Sequence, residues 1–341
     1  MTDEKKRNED LPLEIRMMQP EDAPGVVDLY KGVYGDEYPV KAVYDAQDII
    51  RQQESGDMIR IICRSGEGRV IGQVATYRSC LSNPALYEEG QGIVLPQFRN
   101  LGIVKRCMIY LNREVYPQMT EQLWGEAVCN HVFVQKAEAQ LGWYDTGIEI
   151  DLMPAASYEK EQSSQGRVST LLMFKTYKTR PQTVYLPEVY EDSLRYLYSV
   201  YEFGHTFLPA RASLPDTPTS GLNEIIEGAG VARFTIMELG GDFESYLLQQ
   251  EKEAMNKDAC ILQVFLNLAS PVSGAAVDIL RRHQYYLGGI LPRWFDTDGM
   301  LMQKTINPPG LAHIKLHSEG AQRILAIIED DYKTVIQGKV Q

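Results

Sequence analysis

The sequence predicts a mixed α/β (α+β) chain of two domains, each a mixed, mostly antiparallel sheet flanked by helices. Three observations predict it. Short apolar runs bounded by Gly and Pro alternate with helical patterns over residues 13–154, in the order β-α-α-β-β-β-α-β-α-β. A polar, Ser-rich stretch, residues 155–165, then interrupts the pattern near mid-chain. After it a similar alternation begins again. Gly142-Trp143-Tyr144-Asp145-Thr146-Gly147-Ile148 and Gln284-Tyr285-Tyr286-Leu287-Gly288-Gly289-Ile290 each follow a helical pattern and enter an apolar strand at equal spacing. At 341 residues the chain is long enough for two cores.

The elements follow in order. Residues 13–17 read as a first strand and 21–34 as a helix begun by Pro20. Residues 45–54 read as a second helix. Residues 58–64 and 69–78 form a hairpin around Ser65-Gly66-Glu67-Gly68. The apolar run Ile93-Val94-Leu95 is a buried strand that Pro96 stops. Arg99, Asn100, Leu101 and Gly102 then lead into a helix whose apolar stripe is Ile103, Val104, Cys107, Met108, Leu111 and Val115. Residues 123–129 are a strand, 131–140 a helix and 148–153 a closing strand. In the second half, strands are expected at 167–175, 232–239, 261–268 and 300–305, and helices at 188–202, 243–255 and 273–282. A last helix, 319–336, carries Ile324, Ile328 and Tyr332. The expected domains are a disordered tail (1–12), a first domain (13–156), a linker (157–165), a second domain (166–309) and a C-terminal helical extension (310–341).

Composition narrows the function classes. A formal net charge of −12 argues against general affinity for nucleic acid or an anionic membrane. No apolar run approaches the roughly 20 residues of a membrane span. Residues 1–10 are charged and lack the apolar core of a signal peptide. The five cysteines, Cys63, Cys80, Cys107, Cys129 and Cys260, form no Cys-x-x-Cys pair. They are expected to be reduced thiols in a cytoplasmic protein, with no metal.

The strand–turn–helix around Arg99 and Gly102 carries the chemistry. Free N–H groups at a helix start, with the positive end of the helix dipole, suit a phosphate or pyrophosphate. The motif Arg99-x-x-Gly102-x-Val104 resembles the acyl-CoA-binding loop of the GNAT (GCN5-related N-acetyltransferase) superfamily, Gln/Arg-x-x-Gly-x-Gly/Ala, with Val at the third position. The order of elements over 13–154 is that family's, and Gly142-Trp143 stands where it usually has Gly-Phe. The chain also resembles a group of bacterial GNAT proteins with Tyr-Gly-x-x-Tyr-Pro and Asn-His-x-x-x-Gln segments, here residues 34–39 and 130–135. The family includes tandem pairs with one active half. After residue 239 this chain has Gly240-Gly241-Asp242 and no Arg-x-x-Gly turn, so the second half is expected to be degenerate.

The resemblance implies an acyl-CoA-dependent N-acyltransferase, in the first place an acetyltransferase working by direct transfer. Acetyl-CoA would be co-substrate and a small-molecule or peptide amine the acceptor. Ile93, Val94, Leu95, Arg99, Asn100, Leu101, Gly102, Ile103 and Val104 would hold the acyl-CoA. A backbone N–H at a strand bulge near Val94 would stabilise the oxyanion. The base would be Glu89 or Glu88; strand alternation puts Glu89 with Gln91 and Ile93, and Glu88 opposite. The helix at 131–140 lacks the Tyr that many relatives use as acid, which leaves His131 as the substitute. Cys129 is a further nucleophile candidate. Tyr34, Asp36, Glu37 and Tyr38 would recognise a cationic amine. The alternative is a non-catalytic module that binds acyl-CoA as a sensor or scaffold.

Overall fold

The computed structural model describes residues 12–36, 38, 40–155 and 166–338. The described chain divides into two compact units. One holds the residues up to Ser79 together with Pro84–Leu123; the other holds Cys80–Asn83 and everything from Trp124 onward.

The first unit is built on four antiparallel strands in sequence order: β1 (Leu13–Met17), β2 (Met58–Ser65), β3 (Val70–Arg78) and β4 (Tyr87–Val94). Between β1 and β2 run α1 (Ala23–Tyr34) and α2 (Ala46–Ser55). Asp45 caps α2, its carboxylate accepting the Gln47 and Asp48 N–H groups. Leu29, Tyr30, Ile49, Ile61 and Ile62 close the core, all fully buried. After β4 come a short 3-10 turn, Pro96–Phe98, and α3 (Ile103–Tyr110).

α3 runs on through a π turn, Leu111–Val115, to a final helical turn, Tyr116–Met119. Pro117 accounts for the π turn. It has no N–H to offer the carbonyl four residues back, and the ladder re-forms as Tyr116 N–H to Leu111 C=O.

The second unit is an eight-strand arrangement in the order β5-β7-β6-β13-β14-β12-β11-β10. Its members are β5 (Gln122–Val128, whose first two residues belong to the first unit), β6 (Tyr144–Met153), β7 (Val168–Thr176), β10 (Ser220–Ile226), β11 (Val231–Glu238), β12 (Ile261–Asn267), β13 (Tyr286–Leu291) and β14 (Gly299–Thr305). A separate parallel pair joins β8 (Thr183–Leu186) to β9 (Thr206–Pro209). The helices are α4 (Phe133–Gln140), α5 (Glu191–Tyr198), α6 (Phe243–Met255), α7 (Ser273–Arg282) and α8 (Glu319–Gln337). Ser318 caps α8, which buries Ile324, Ile328 and Val335.

The same pattern occurs twice in this unit. β5–α4–β6–β7 and β12–α7–β13–β14 each run strand, helix, strand, strand, and in each the last strand inserts between the other two. β6 and β13 then pair antiparallel through Gly147 and Gly289.

The strand expected to open the second half, residues 167–175, lies elsewhere in the topology. As β7 it pairs with β6 from Tyr144↔Phe174 to Met153↔Val168. It therefore completes the set begun by β5 and β6. The pairing joins segments on either side of the Ser-rich stretch, so the compact units divide after Leu123 instead. The expected linker, 157–165, and residues 1–11 of the expected tail lie outside the described residues. Among the described residues no helix is long and apolar enough to cross a membrane.

Candidate acyl-CoA and acceptor site

The turn between β4 and α3 carries Arg99, Asn100 and Gly102. Ile93 and Leu95 are buried and fix the strand end, while Arg99, Asn100 and Gly102 are exposed. Asn100 and Gly102 both take left-handed backbone angles, φ 71° and 68°. Gly102 is the N-cap of α3, and a Cβ built there would meet nothing within 4 Å. Ile103 is buried against Gly72, where a Cβ would come within 2.8 Å of its methyl. That close fit seats the first turn of α3 on the sheet and leaves its N–H end outward. The first turn carries no acid, and Arg99, Lys105 and Arg106 are exposed. The helix dipole is positive at this end.

Val104 also finds its place. Its methyls lie 3.4 and 3.7 Å from where a Gly92 Cβ would stand. The space that a small residue at 104 would leave open is filled by Val104 over a side-chain-free Gly92.

The corresponding turn after β11 is closed. A Cβ on Gly240 would lie 1.9 Å from the Thr217 carbonyl. Asp242 starts α6, and its carboxylate accepts the Thr219 N–H at 2.7 Å. Hydrogen bonds from Thr219 hold that carboxyl below the usual range. Glu244 follows in the first turn. An anion already sits at this helix start.

β4 carries a bulge. Gln73 pairs with Ile93 and Ala75 with Gly90, so β4 has one more residue than β3 between these pairs. The extra residue falls at Gln91–Gly92, with Gln91 at φ 50°, earlier in the strand than the expected position near Val94. The Gln91 amide oxygen accepts the Tyr30 hydroxyl at 2.5 Å, and the Gln73 amide donates to the same hydroxyl at 3.0 Å.

Tyr30 packs with Tyr34 and Tyr38, ring centroids 6.3 and 5.0 Å away, and Tyr34 and Tyr38 are 5.0 Å apart. Two of the expected acceptor residues are thus tied to the bulge through Tyr30, which the sequence did not single out. Burial first, then Tyr34, Glu88 and Tyr44, push the Tyr38 hydroxyl up to about 12. Asp36 contributes its carbonyl to the Lys41 ammonium at 2.8 Å. Glu37 lies outside the described residues.

The two carboxylates differ in surroundings. Glu89 is buried, 5 % exposed, and accepts the hydroxyl of fully buried Tyr116 at 2.6 Å. Glu88 is half-buried and accepts the Tyr77 hydroxyl at 2.5 Å. Neither tyrosine was legible as a partner in the sequence, since each contact depends on tertiary placement.

Glu88, Glu89, the 93–104 segment and the tyrosines belong to the first unit, and His131 to the second. His131 lies in the turn before α4 rather than in the helix, half-buried, with its ring 5.1 Å from Phe133. Its carbonyl accepts the Gln135 side-chain N–H at 3.2 Å. Gln135 also reaches the Val128 and Lys315 carbonyls and accepts the His317 N–H. The Asn-His-x-x-x-Gln segment therefore fastens a strand end, a turn and residues 315–317 together. Cys129 is 1 % exposed, and burial pushes its thiol up to about 12, far from a thiolate.

No protein-family model matches the chain, and no curated protein does. Over about half its length the chain is similar to solved acetyltransferases of the GNAT superfamily. One is an N-acetyltransferase from Staphylococcus aureus Mu50, at 11 % identity and TM-score 0.39, covering 49 % of this chain and 99 % of that one. Another is the ribosomal-protein-S18-alanine N-acetyltransferase from Escherichia coli, at 14 % identity and TM-score 0.38, covering 50 % and 96 %. A third is a GNAT superfamily phosphinothricin acetyltransferase from Sinorhizobium meliloti in complex with acetyl-CoA, at 16 % identity and TM-score 0.38, covering 48 % and 88 %.

Proposed function

We propose that the chain is an acyl-CoA-dependent N-acyltransferase, in the first place an acetyltransferase, that moves the acyl group directly from the thioester to an amine. The observation that carries the reading is the open left-handed turn at Gly102. It presents an acid-free helix start, with exposed Arg99, Lys105 and Arg106 in the same segment, in the connection that follows a bulged strand. The pyrophosphate would sit on the N–H groups of Leu101 to Val104. The pantetheine would follow β4 towards the bulge at Gln91–Gly92. A backbone N–H there would hold the oxyanion, and a β4 carboxylate would take the amine's proton. Glu88 is the better placed of the pair, because Glu89 is committed to Tyr116 in the core.

The acceptor is proposed to be an amine met by Tyr34 and Tyr38. The second half is proposed as a degenerate copy, since its own turn at Gly240 is filled.

A non-catalytic acyl-CoA module has one specific observation behind it: α4, Phe133–Gln140, carries no Tyr. Release of CoA thiol from acetyl-CoA with a panel of primary amines separates the two. Turnover with any of them meets the first reading. Tight acetyl-CoA binding without thiol release meets the second.

A further inference from the structure

Tyr77 and Glu88 are Cα partners across β3 and β4, and the Tyr77 hydroxyl donates to Glu88 Oε1 at 2.5 Å. The Thr76 hydroxyl donates to the Glu88 carbonyl at 2.8 Å and holds the backbone at the same point. Two residues further along β4 stands Gly90. A Cβ there would come within 2.7 Å of the Tyr77 hydroxyl oxygen and 3.2 Å of its ring. Gly90 is the residue before the bulge, and its φ is not in the left-handed region. Backbone geometry does not demand glycine here. The space it leaves is occupied by the Tyr77 ring on its way to Glu88.

From this geometry we infer that Tyr77 is a positioning residue for Glu88, and that Gly90 is side-chain-free so that Tyr77 can reach it. The inference rests on the acyl-transfer reading and deepens it. The hydroxyl fixes one carboxylate oxygen and favours the ionised form, the state a base must be in. In the reaction the amine nitrogen bonds to the thioester carbon, and the Glu88 carboxylate accepts the proton that nitrogen gives up. The C–S bond breaks with its electron pair on sulfur, and the thiolate takes a proton from water.

The test uses the full chain with Tyr77→Phe, Gly90→Ala, the double variant and Glu88→Gln. Loss of the hydroxyl raises the Glu88 pKa. The acidic limb of the kcat/KM profile should then move up by about one pH unit, and the rate should approach the wild-type rate well above that limb. Gly90→Ala should do the same by displacing the hydroxyl. The double variant should be no worse than either single one, because both remove the same contact. Acetyl-CoA affinity and the melting curve should hold in all of them. Glu88→Gln should lose the acidic limb altogether.

Additive losses, or an unmoved acidic limb in Tyr77→Phe, overturn the inference. If the wild type releases no thiol with any amine, the acyl-transfer reading is what fails. The pair is then decided by carbon NMR titration of the Glu88 carboxyl. A higher pKa in both single variants than in wild type upholds the contact, and equal values in all three overturn it.

Discussion

Gly147 of β6 and Gly289 of β13 are Cα partners, and neither position has room for a side chain. A Cβ on Gly289 would lie 2.3 Å from the Gly147 Cα, and one on Gly147 would lie 2.5 Å from the Gly288 carbonyl oxygen. These two residues occupy equivalent places in the repeated segments 142–148 and 284–290. The repeat therefore meets itself at its own glycines. Gly289 also has φ 151°, which L side chains rarely adopt.

Gly289→Ala is expected to destabilise the second unit by about 1–3 kcal/mol, since backbone atoms, not flexible side-chain ends, must give way. Gly147→Ala should cost a similar amount. Because the two clashes occur at one contact, the double variant should cost less than their sum. Thermal melting of the three variants checks this. Unchanged melting in Gly289→Ala contradicts the close approach of β6 to β13.

Glu89 and Tyr116 form a buried pair, so their removal should act on stability. Tyr116→Phe removes a hydrogen-bond donor from a buried carboxylate and is expected to cost about 1–3 kcal/mol. Activity per folded molecule should hold. If the rate instead falls while the melting curve and acetyl-CoA affinity are unchanged, Glu89 rather than Glu88 is the working carboxylate.

Glu149 predicts a pH dependence. It lies on β6, 1 % exposed. Burial first, and then the neighbouring Glu126, push its carboxyl up to about 8, against Arg233, Gln263 and Thr170, which favour the ionised form. Arg233 meets Glu126 at 3.0 Å and Glu149 at 3.2 Å, and Gln263 and Thr170 donate to Glu149 at 2.8 and 2.9 Å.

The folded pKa lies above the unfolded value of 4.5, so between them the folded chain binds the extra proton. This group's contribution to stability is full below pH 4.5 and is lost as pH rises towards 8. The melting temperature of wild type should therefore fall from about pH 5 to pH 8 more steeply than that of Glu149→Gln, which cannot titrate. A wild-type curve no steeper than the variant's contradicts the raised carboxyl.

How much of this could be read in advance depended on whether the cause was local. α6 (Phe243–Met255) and α7 (Ser273–Arg282) were legible to the residue, because amphipathic spacing and turn residues mark both ends. β10 was missed, since Ser220–Ile226 is an edge strand with mostly exposed polar positions and no clean alternation. The helix expected over 188–202 stops at Tyr198, because the chain must turn through 199–205 to pair β9 with β8. The place of β7 depended on pairing with β6, a non-local fact no periodicity records. In the candidate site, Gly102 stood out because a left-handed turn has a residue preference. Tyr30, Tyr77 and Tyr116 did not, because only the fold brings them to Gln91, Glu88 and Glu89. The bulge at Gln91–Gly92 carried a weak signal, a Gly-Gln-Gly run inside a strand.

The central claim is that the turn at Gly102 holds an acyl-CoA pyrophosphate. Gly102→Glu tests it most directly, by calorimetric titration of acetyl-CoA into the full-length wild type and variant. Nothing within 4 Å meets a Cβ there, so the cost to the fold is the left-handed backbone alone, on the order of 1 kcal/mol. The Glu side chain would stand in the pyrophosphate's place and repel it. The expected result is about one acetyl-CoA bound per wild-type chain, and binding by Gly102→Glu lost or weakened at least a hundredfold, with only a small change in melting. Equal affinity in wild type and variant contradicts the account.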